Sequence, residues 1–321
     1  MLSLEGIMLH PLIVIVGPTA VGKTALSIEL AKMVNGEIIS GDSMQVYKYM
    51  DIGTAKPTMK ERQGIPHYMI DILEPDEEYS VAVFQDKVEE LIPDIAGRNL
   101  MPILAGGTGL YVRAITDHYN FTDFSVDQEY RMHLEEEALV KGNQVLLDRL
   151  AAVDPVTAKR LHINDLRRII RALEVYHFTG QPISSYQDAH LNPEPKYNLA
   201  MIGLNMERDK LYDRINRRVD LMVEQGLVEE VEGLLNRGYS SSLTSMQGLG
   251  YKEICAYLEG QYDFGEAIRL LKRNTRHFAK RQLTWFRRDQ RIKWFNVENY
   301  HTISEIANEI KAQVGGLFRG T

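Results

Sequence analysis

Short apolar runs alternate with amphipathic stretches through the first third of the chain. Residues 12–16 form an apolar, β-branched run of the kind that makes a buried strand. Residues 25–34 place apolar side chains at 26, 28, 30, 31 and 34, which predicts a helix. The strand pattern returns at 37–40, 69–71 and 102–105. Such alternation predicts an α/β fold: a parallel sheet flanked by helices. Between about 117 and 197 the pattern turns polar and helical, with helices expected at 127–141, 144–153, 155–161 and 166–179. Gly180-Gln181-Pro182 ends the last of these, and Pro193-Glu194-Pro195 reads as a return linker. A strand pattern resumes at 199–204, and from Arg208 onward the chain reads as almost all helix. The expected organisation is an α/β core from 1–116 and 198–321, with a helical carboxy-terminal region, and a helical insertion domain at 117–197. No internal repeat or low-complexity tract interrupts it.

At 321 residues the chain has ample length for a real core and suggests roughly two domains. One cysteine, Cys255, excludes an intrachain disulfide and a cysteine-rich zinc site, which fits a reducing cytosol. Residues 1–10 lack the basic and apolar regions of a secretory signal, and no apolar run approaches the ~20 residues that span a bilayer. A cytoplasmic protein without a membrane partner is expected. The net charge of −7 argues against a surface coated with nucleic acid throughout, while leaving room for a local basic patch.

Chemistry first appears at Gly17-Pro18-Thr19-Ala20-Val21-Gly22-Lys23-Thr24, which fits the G-x-x-x-x-G-K-[ST] P-loop pattern between a strand and a helix. Backbone N–H groups and the helix N-terminus favour a di- or triphosphate. Lys23 would neutralise terminal phosphate oxygens, and the Thr24 hydroxyl would reach a Mg²⁺. The bland alternative is a glycine-rich turn with a chance lysine. The motif specifies a pyrophosphate group, not ATP. No run of four apolar residues ending in Asp stands out as a Walker-B segment, which weakens an ATPase reading.

Asp42 follows the second strand, and Gly106-Gly107-Thr108-Gly109 follows the strand at 102–105. Ligands of such sheets bind beyond the strands' carboxyl ends, so both should converge with the P-loop on one cleft. Like charges repel, so Asp42 is poorly suited to bind phosphate. It is a candidate for holding Mg²⁺ or for general base work on another substrate, and equally for capping the following turn. Arg167, Arg168 and Arg171 share one side of a helix, either as a contact or as a solvated face paired with Glu174. Between 269 and 293 lie Arg269, Lys272, Arg273, Arg276, Lys280, Arg281, Arg287, Arg288, Arg291 and Lys293 with one acid, Asp289. His277, Phe278, Trp285 and Phe286 are interleaved. Bases and aromatics together are the equipment for RNA; the alternative puts the rings in the core and the bases in solvent.

Taken in order, these residues resemble the tRNA dimethylallyltransferase (tRNA isopentenyltransferase, or IPP transferase) family. The likeness runs almost end to end. It takes in the P-loop, Asp42-Ser43-Met44-Gln45-Val46-Tyr47, Asp51 to Pro57, Gly64-Ile65-Pro66-His67-Tyr68 to Asp71, and Gly106 to Tyr111. It continues through Asn164-Asp165 to Glu174, Arg217-Arg218-Val219-Asp220, Gly250-Tyr251-Lys252-Glu253, and Thr275 to Arg287. Met44 stands where many relatives carry Arg, and Leu249 where Ile or Val is usual. The resemblance implies a P-loop NTPase-like fold, a bacterial type without the zinc finger of some eukaryotic members, and no obligate protein partner. It implies transfer of a dimethylallyl group from dimethylallyl diphosphate to N6 of the adenosine just 3′ of a tRNA anticodon. The implied catalytic residues are Asp42 as base, Thr19 at the bridging oxygen, and Lys23 and Arg218 on the leaving diphosphate, with Thr24 holding Mg²⁺. The implied contacts to the tRNA anticodon stem-loop are Asp42, Ser43, Met44, Gln45, Thr108 and Arg131. They extend to Arg167, Arg168, Ile169, Ile170 and Arg171, and to Gln247, Gly248, Leu249, Gly250, Tyr251 and Lys252. They end on Lys280, Arg281, Gln282, Leu283, Thr284, Trp285, Phe286 and Arg287.

Three other readings compete: a P-loop kinase of small molecules or nucleotides, a prenyltransferase of free adenine nucleotides, and a non-catalytic RNA-binding protein. The basic, aromatic carboxy-terminal segment argues against the first two, and Asp42 at a strand end against the third.

Overall fold

The computed structural model describes residues 9–117, 127–188 and 195–315. Pro193 and Glu194 of the expected linker lie outside the described residues. The elements run β1 (Pro11–Val16), α1 (Lys23–Val34), β2 (Gly36–Ser40), α2 (Met59–Arg62), β3 (His67–Tyr68), α3 (Val81–Gly97), β4 (Met101–Gly106) and α4 (Gly109–Thr116). Then follow α5 (Gln128–Lys141), α6 (Asn143–Val153), α7 (Pro155–Arg160), α8 (Leu166–Thr179) and α9 (Ile183–Asp188). The chain continues with β5 (Asn198–Asn205), α10 (Arg208–Glu224), α11 (Leu227–Asn236), α12 (Tyr251–Leu258), α13 (Phe264–Phe286), β6 (Ile292–Asn296) and α14 (Ile303–Val314). Among the described residues the strands form one parallel sheet in the order β3-β2-β4-β1-β5-β6.

β1 sits inside this sheet, and its run from Leu12 to Val16 is wholly buried. Ile13 and Ile15 pack with Leu26 and Leu30 of α1 and Ile306 and Ile310 of α14. Leu12, Val14 and Val16 pack on the opposite face with Phe84, Val88 and Ile92 of α3. A strand covered on both faces needs apolar residues at every position, which is why the run is continuous rather than alternating. α13 gives Ala279 to the first layer and Phe286 to the second, so it crosses the sheet's carboxyl end. A third cluster joins α10 to α13 with Val46, Tyr47 and Met50.

Two expectations need correction. The strand expected at 69–71 is the two-residue β3 at His67–Tyr68. Met69 and Asp71 have φ of 61° and 57°, a left-handed conformation that ends a strand. The Asp71 and Ile72 N–H groups instead donate to the carbonyls of Gln45 and Val46. The carboxy-terminal region is also not all helix: β6 pairs with β5 and forms one edge of the sheet. Five residues, with a Lys at the second and an Asn at the last, carry little strand signal until β5 supplies a partner.

Contacts divide the chain into two compact units, 1–116 with 195–321, and 117–194. The second has its own core, in which Leu134, Leu146, Leu150, Ile169, Ile170 and Leu173 meet. No helix among the described residues is long and apolar enough to cross a membrane.

Candidate active site

The chain leaves β1 through Gly17, whose φ of 149° suits glycine; a Cβ there would come within 2.6 Å of the Leu204 carbonyl. α1 begins at Lys23, two residues earlier than the apolar spacing suggests, with Gly22 as its N-cap. The Lys23 ammonium turns back over the loop and donates to the carbonyls of Gly17 and Pro18, both at 2.9 Å. Desolvation lowers its pKa to about 8; the Asp42 charge opposes this and Arg218 adds to it. A lysine so placed releases its loop carbonyls at little cost when a stronger anion arrives.

A cavity of about 1000 Å³ opens in front of this loop. Its wall includes Thr19, Lys23, Thr24, Asp42, Gln45, Gly106, Gly107 and Arg218, so strand ends distant in sequence do converge. Thr108 and Gly109 do not line it. On α10, Leu211, Ile215 and Val219 pack inward, which turns Arg214, Arg217 and Arg218 towards the cavity. Arg218 makes no ion pair among the described residues, and desolvation lowers its pKa, with Asp42 and Glu61 opposing. Positive charge held in a cavity without a partner is a standing site for an anion.

Asp42 does both of the things its position allows. Its Oδ1 accepts the Met44 N–H at 2.8 Å and caps the turn after β2. Its Oδ2 has no hydrogen bond among the described residues, and the residue lines the same cavity as the cations. The carboxylate is therefore fixed in orientation with one oxygen left over.

For a metal, the donors are sparse. Thr24 is exposed on the cavity wall, and no group of three or more His, Cys, Asp or Glu among the described residues would cage an ion. Mg²⁺ keeps waters and takes phosphate oxygens, so one hydroxyl fits it as a companion to a bound diphosphate.

The IPP transferase family model matches residues 45–289. A tRNA dimethylallyltransferase of Carboxydothermus hydrogenoformans is 57% identical over 308 residues, 96% of this chain and 98% of that protein. The chain belongs to the IPP transferase family. The full-length tRNA isopentenylpyrophosphate transferase of Bacillus halodurans superposes with a TM-score of 0.71 at 49% identity, covering 97% of this chain and 98% of the other. A eukaryotic dimethylallyltransferase acting on tRNA superposes with a TM-score of 0.81 at 30% identity, covering 95% of this chain and 79% of that one.

The segments that family likeness marks for RNA divide sharply in the structure. The exposed residues Arg273, His277, Lys280, Arg281 and Thr284 of α13, with Arg287 and Arg288 just past its end, make one stripe, while Ala279, Gln282 and Phe286 are buried. Of the ten cations, Arg269, Lys272 and Arg291 are paired with Glu266, Asp220 and Asp289, and Arg276 donates to Asn216. Lys280, Arg281, Arg287 and Arg288 have no ion pair among the described residues. Trp285 and Leu283 are half-buried, so the interleaved aromatics belong mostly to packing. In the other unit Arg167 and Arg168 are exposed, Arg171 lies 3.6 Å from Glu174, and Ile169 and Ile170 are core residues. Of the residues named among the expected tRNA contacts, Ile169, Ile170, Gln282 and Phe286 have buried side chains, because helical periodicity turns these positions inward. Arg131 grips the buried Glu174 through two hydrogen bonds of 2.8 and 2.9 Å. Tyr251 is buried with its hydroxyl on Glu230, Gly248 lies against Met44, Leu249 packs with the same core, and Lys252 is 3.7 Å from Glu253. Only Gln247 of that segment is exposed.

Sequence reasoning passed over Arg214 and gave no role to Arg217 and His67, which it met only inside family motifs; all three are on the cavity wall. The arginines were visible as neighbours of Arg218 at helical spacing. His67 has its Nδ1 2.8 Å from the Ile65 carbonyl and a buried Nε2 with no hydrogen-bond partner among the described residues, and burial lowers its pKa. It also missed Glu230, which accepts the N–H groups of Asp51, Ile52 and Gly53. An acid 177 residues away from Gly53 gives no local signal.

Proposed function

We infer that this protein transfers the dimethylallyl group of dimethylallyl diphosphate to N6 of the adenosine 3′-adjacent to a tRNA anticodon, releasing diphosphate. One observation carries the reading: an oriented carboxylate, Asp42, and two desolvated cations, Lys23 and Arg218, line the same cavity. A donor that leaves as an anion and a nucleophile that must lose a proton need that pair.

The diphosphate sits at the P-loop and the helix N-terminus, where Lys23 and Arg218 neutralise it. Thr24 would hold a Mg²⁺, which would supply positive charge beside the departing oxygens. Thr19 donates to the bridging oxygen. The C1–O bond breaks and its electron pair leaves with the diphosphate. The N6 lone pair forms the new bond to C1, and the N6 proton passes to Asp42. An adenine amine is a weak nucleophile, so accepting its proton as the bond forms contributes about 10²–10⁴-fold. The base must leave its stack to reach the cavity, which favours a loop over a duplex. The stripe on α13 holds the anticodon stem-loop, and the helical unit from 117 to 194 makes further contacts through Arg167 and Arg168. A small-molecule kinase has no use for that stripe.

Incubation with labelled dimethylallyl diphosphate and unmodified tRNA tests the reading. Label should appear in RNA, on N6 of one adenosine. Label transferred to free adenine nucleotides and not to tRNA would overturn it.

A further inference from the structure

The P-loop is braced by a side chain from the far end of the sequence. Gln282 lies on the inward face of α13 and is 6% exposed. Its Oε1 accepts the backbone N–H of Thr19 at 2.8 Å, and its Nε2 donates to the Gly107 carbonyl at 3.0 Å. A single amide thus joins α13, the P-loop and the loop after β4. Its orientation is not interchangeable, because a flipped amide would set N–H against N–H and oxygen against oxygen. The junction also explains Gly107: a Cβ there would come within 2.1 Å of the Gln282 nitrogen. Trp285, one turn further along α13, lies against Gly109.

Two consequences follow. Gln282 is buried and both ends of its amide are engaged inside the protein, so its role here is to join segments of the fold. The Thr19 N–H is likewise occupied, so what Thr19 presents to the cavity is its hydroxyl, which has no hydrogen bond among the described residues. The peptide that carries this hydroxyl is held in place by Gln282.

We propose that Gln282 is a positioning residue for the transfer step: it fixes the Thr19 peptide so that the hydroxyl meets the diphosphate oxygen on which charge grows as the C1–O bond breaks. The proposal rests on the reading of the P-loop as the prenyl diphosphate site. An interaction that strengthens as the bond breaks acts on kcat more than on ground-state binding.

Gln282→Met keeps length and volume but removes both hydrogen bonds. Its kcat should fall about 30-fold or more, short of the ~10²–10³ that loss of an oxyanion donor costs because the Thr19 hydroxyl remains, with affinities for Mg²⁺-pyrophosphate and for an unmodified anticodon stem-loop each within about threefold of wild type. Gln282→Glu supplies a pH signature. The ionised side chain still accepts from Thr19 but repels the Gly107 carbonyl, whereas the protonated acid restores both bonds. Its kcat, relative to wild type at the same pH, should rise as pH falls through the carboxyl's titration; the Met variant should show no such recovery. Wild-type kcat in Gln282→Met, or a loss confined to stem-loop affinity, would overturn the proposal. Should the Met variant fail to fold, a flat relative pH profile for Gln282→Glu would overturn it equally. Lys23→Ala, assayed alongside for pyrophosphate binding, separates the two readings: unchanged binding there refutes the P-loop assignment whatever the Gln282 variants do.

Discussion

Two sets of cations in the same unit behave as different materials. Lys23 and Arg218 line a cavity, lose solvation, and have depressed pKa values. Lys280, Arg281, Arg287 and Arg288 stand in water along α13. The first set meets a compact anion at short range in a low-dielectric pocket, where salt screens little and protonation state matters. The second set meets an extended polyanion through counterion release, where salt matters and pH does not. Arginine or lysine content alone would not separate them; burial does.

The largest expected effect follows from removing a desolvated cation. Lys23→Ala should lower the rate of prenyl transfer by ~10²–10³-fold or more and weaken dimethylallyl diphosphate binding, with stem-loop affinity unchanged. A filter-binding and single-turnover pair checks this, and ATP hydrolysis in step with transfer would break the assignment. Next comes Asp42→Asn, nearly isosteric and unable to take a proton. Its kcat should drop by ~10²-fold with modest changes in either affinity. Near-normal turnover would leave Asp42 only its turn-capping bond to Met44. Smaller, and confined to RNA, is the effect of replacing Lys280 and Arg281 together with Ala. The slope of log affinity against log salt should flatten by about 1.4, at ~0.7 per phosphate contact in single-stranded RNA. The smallest effect concerns pH. Lys23 binds an anion when protonated, and its pKa in the free protein is about 8. Pyrophosphate affinity should therefore weaken as pH rises through that value, by about fourfold from pH 7 to 8.5. Lys23→Arg, which stays charged, should remove the step.

What could be seen in the sequence was whatever acts locally. The P-loop carries its mechanism in eight adjacent residues, and the buried run of β1 announces a central strand. β3 was misplaced and β6 escaped because their limits come from neighbours: left-handed residues at Met69 and Asp71 cut the one short, and β5 recruits the other. At the site, Asp42 and Lys23 were legible from their places after strands, whereas Thr19 entered only through the family resemblance. Gln282 lies within the segment that the family resemblance implies for tRNA, and nothing near it in sequence announces that its amide accepts a hydrogen bond from a residue 263 positions earlier. The same limit applies to Ile169, Ile170 and Phe286. A contiguous segment reads as one contact surface, whereas a helix turns every third or fourth side chain inward.

The difference between the two cation sets is open to one direct measurement. Mg²⁺-pyrophosphate and an unmodified anticodon stem-loop are titrated separately, across a range of salt, into wild type, Lys23→Ala and the Lys280→Ala/Arg281→Ala variant. Lys23→Ala should lose pyrophosphate affinity and keep the wild-type stem-loop slope. The double variant should keep pyrophosphate affinity and lose slope for the stem-loop. Loss of both ligands in either variant, or an unchanged stem-loop slope at wild-type affinity in the double variant, would contradict the division of labour between cavity and helix face.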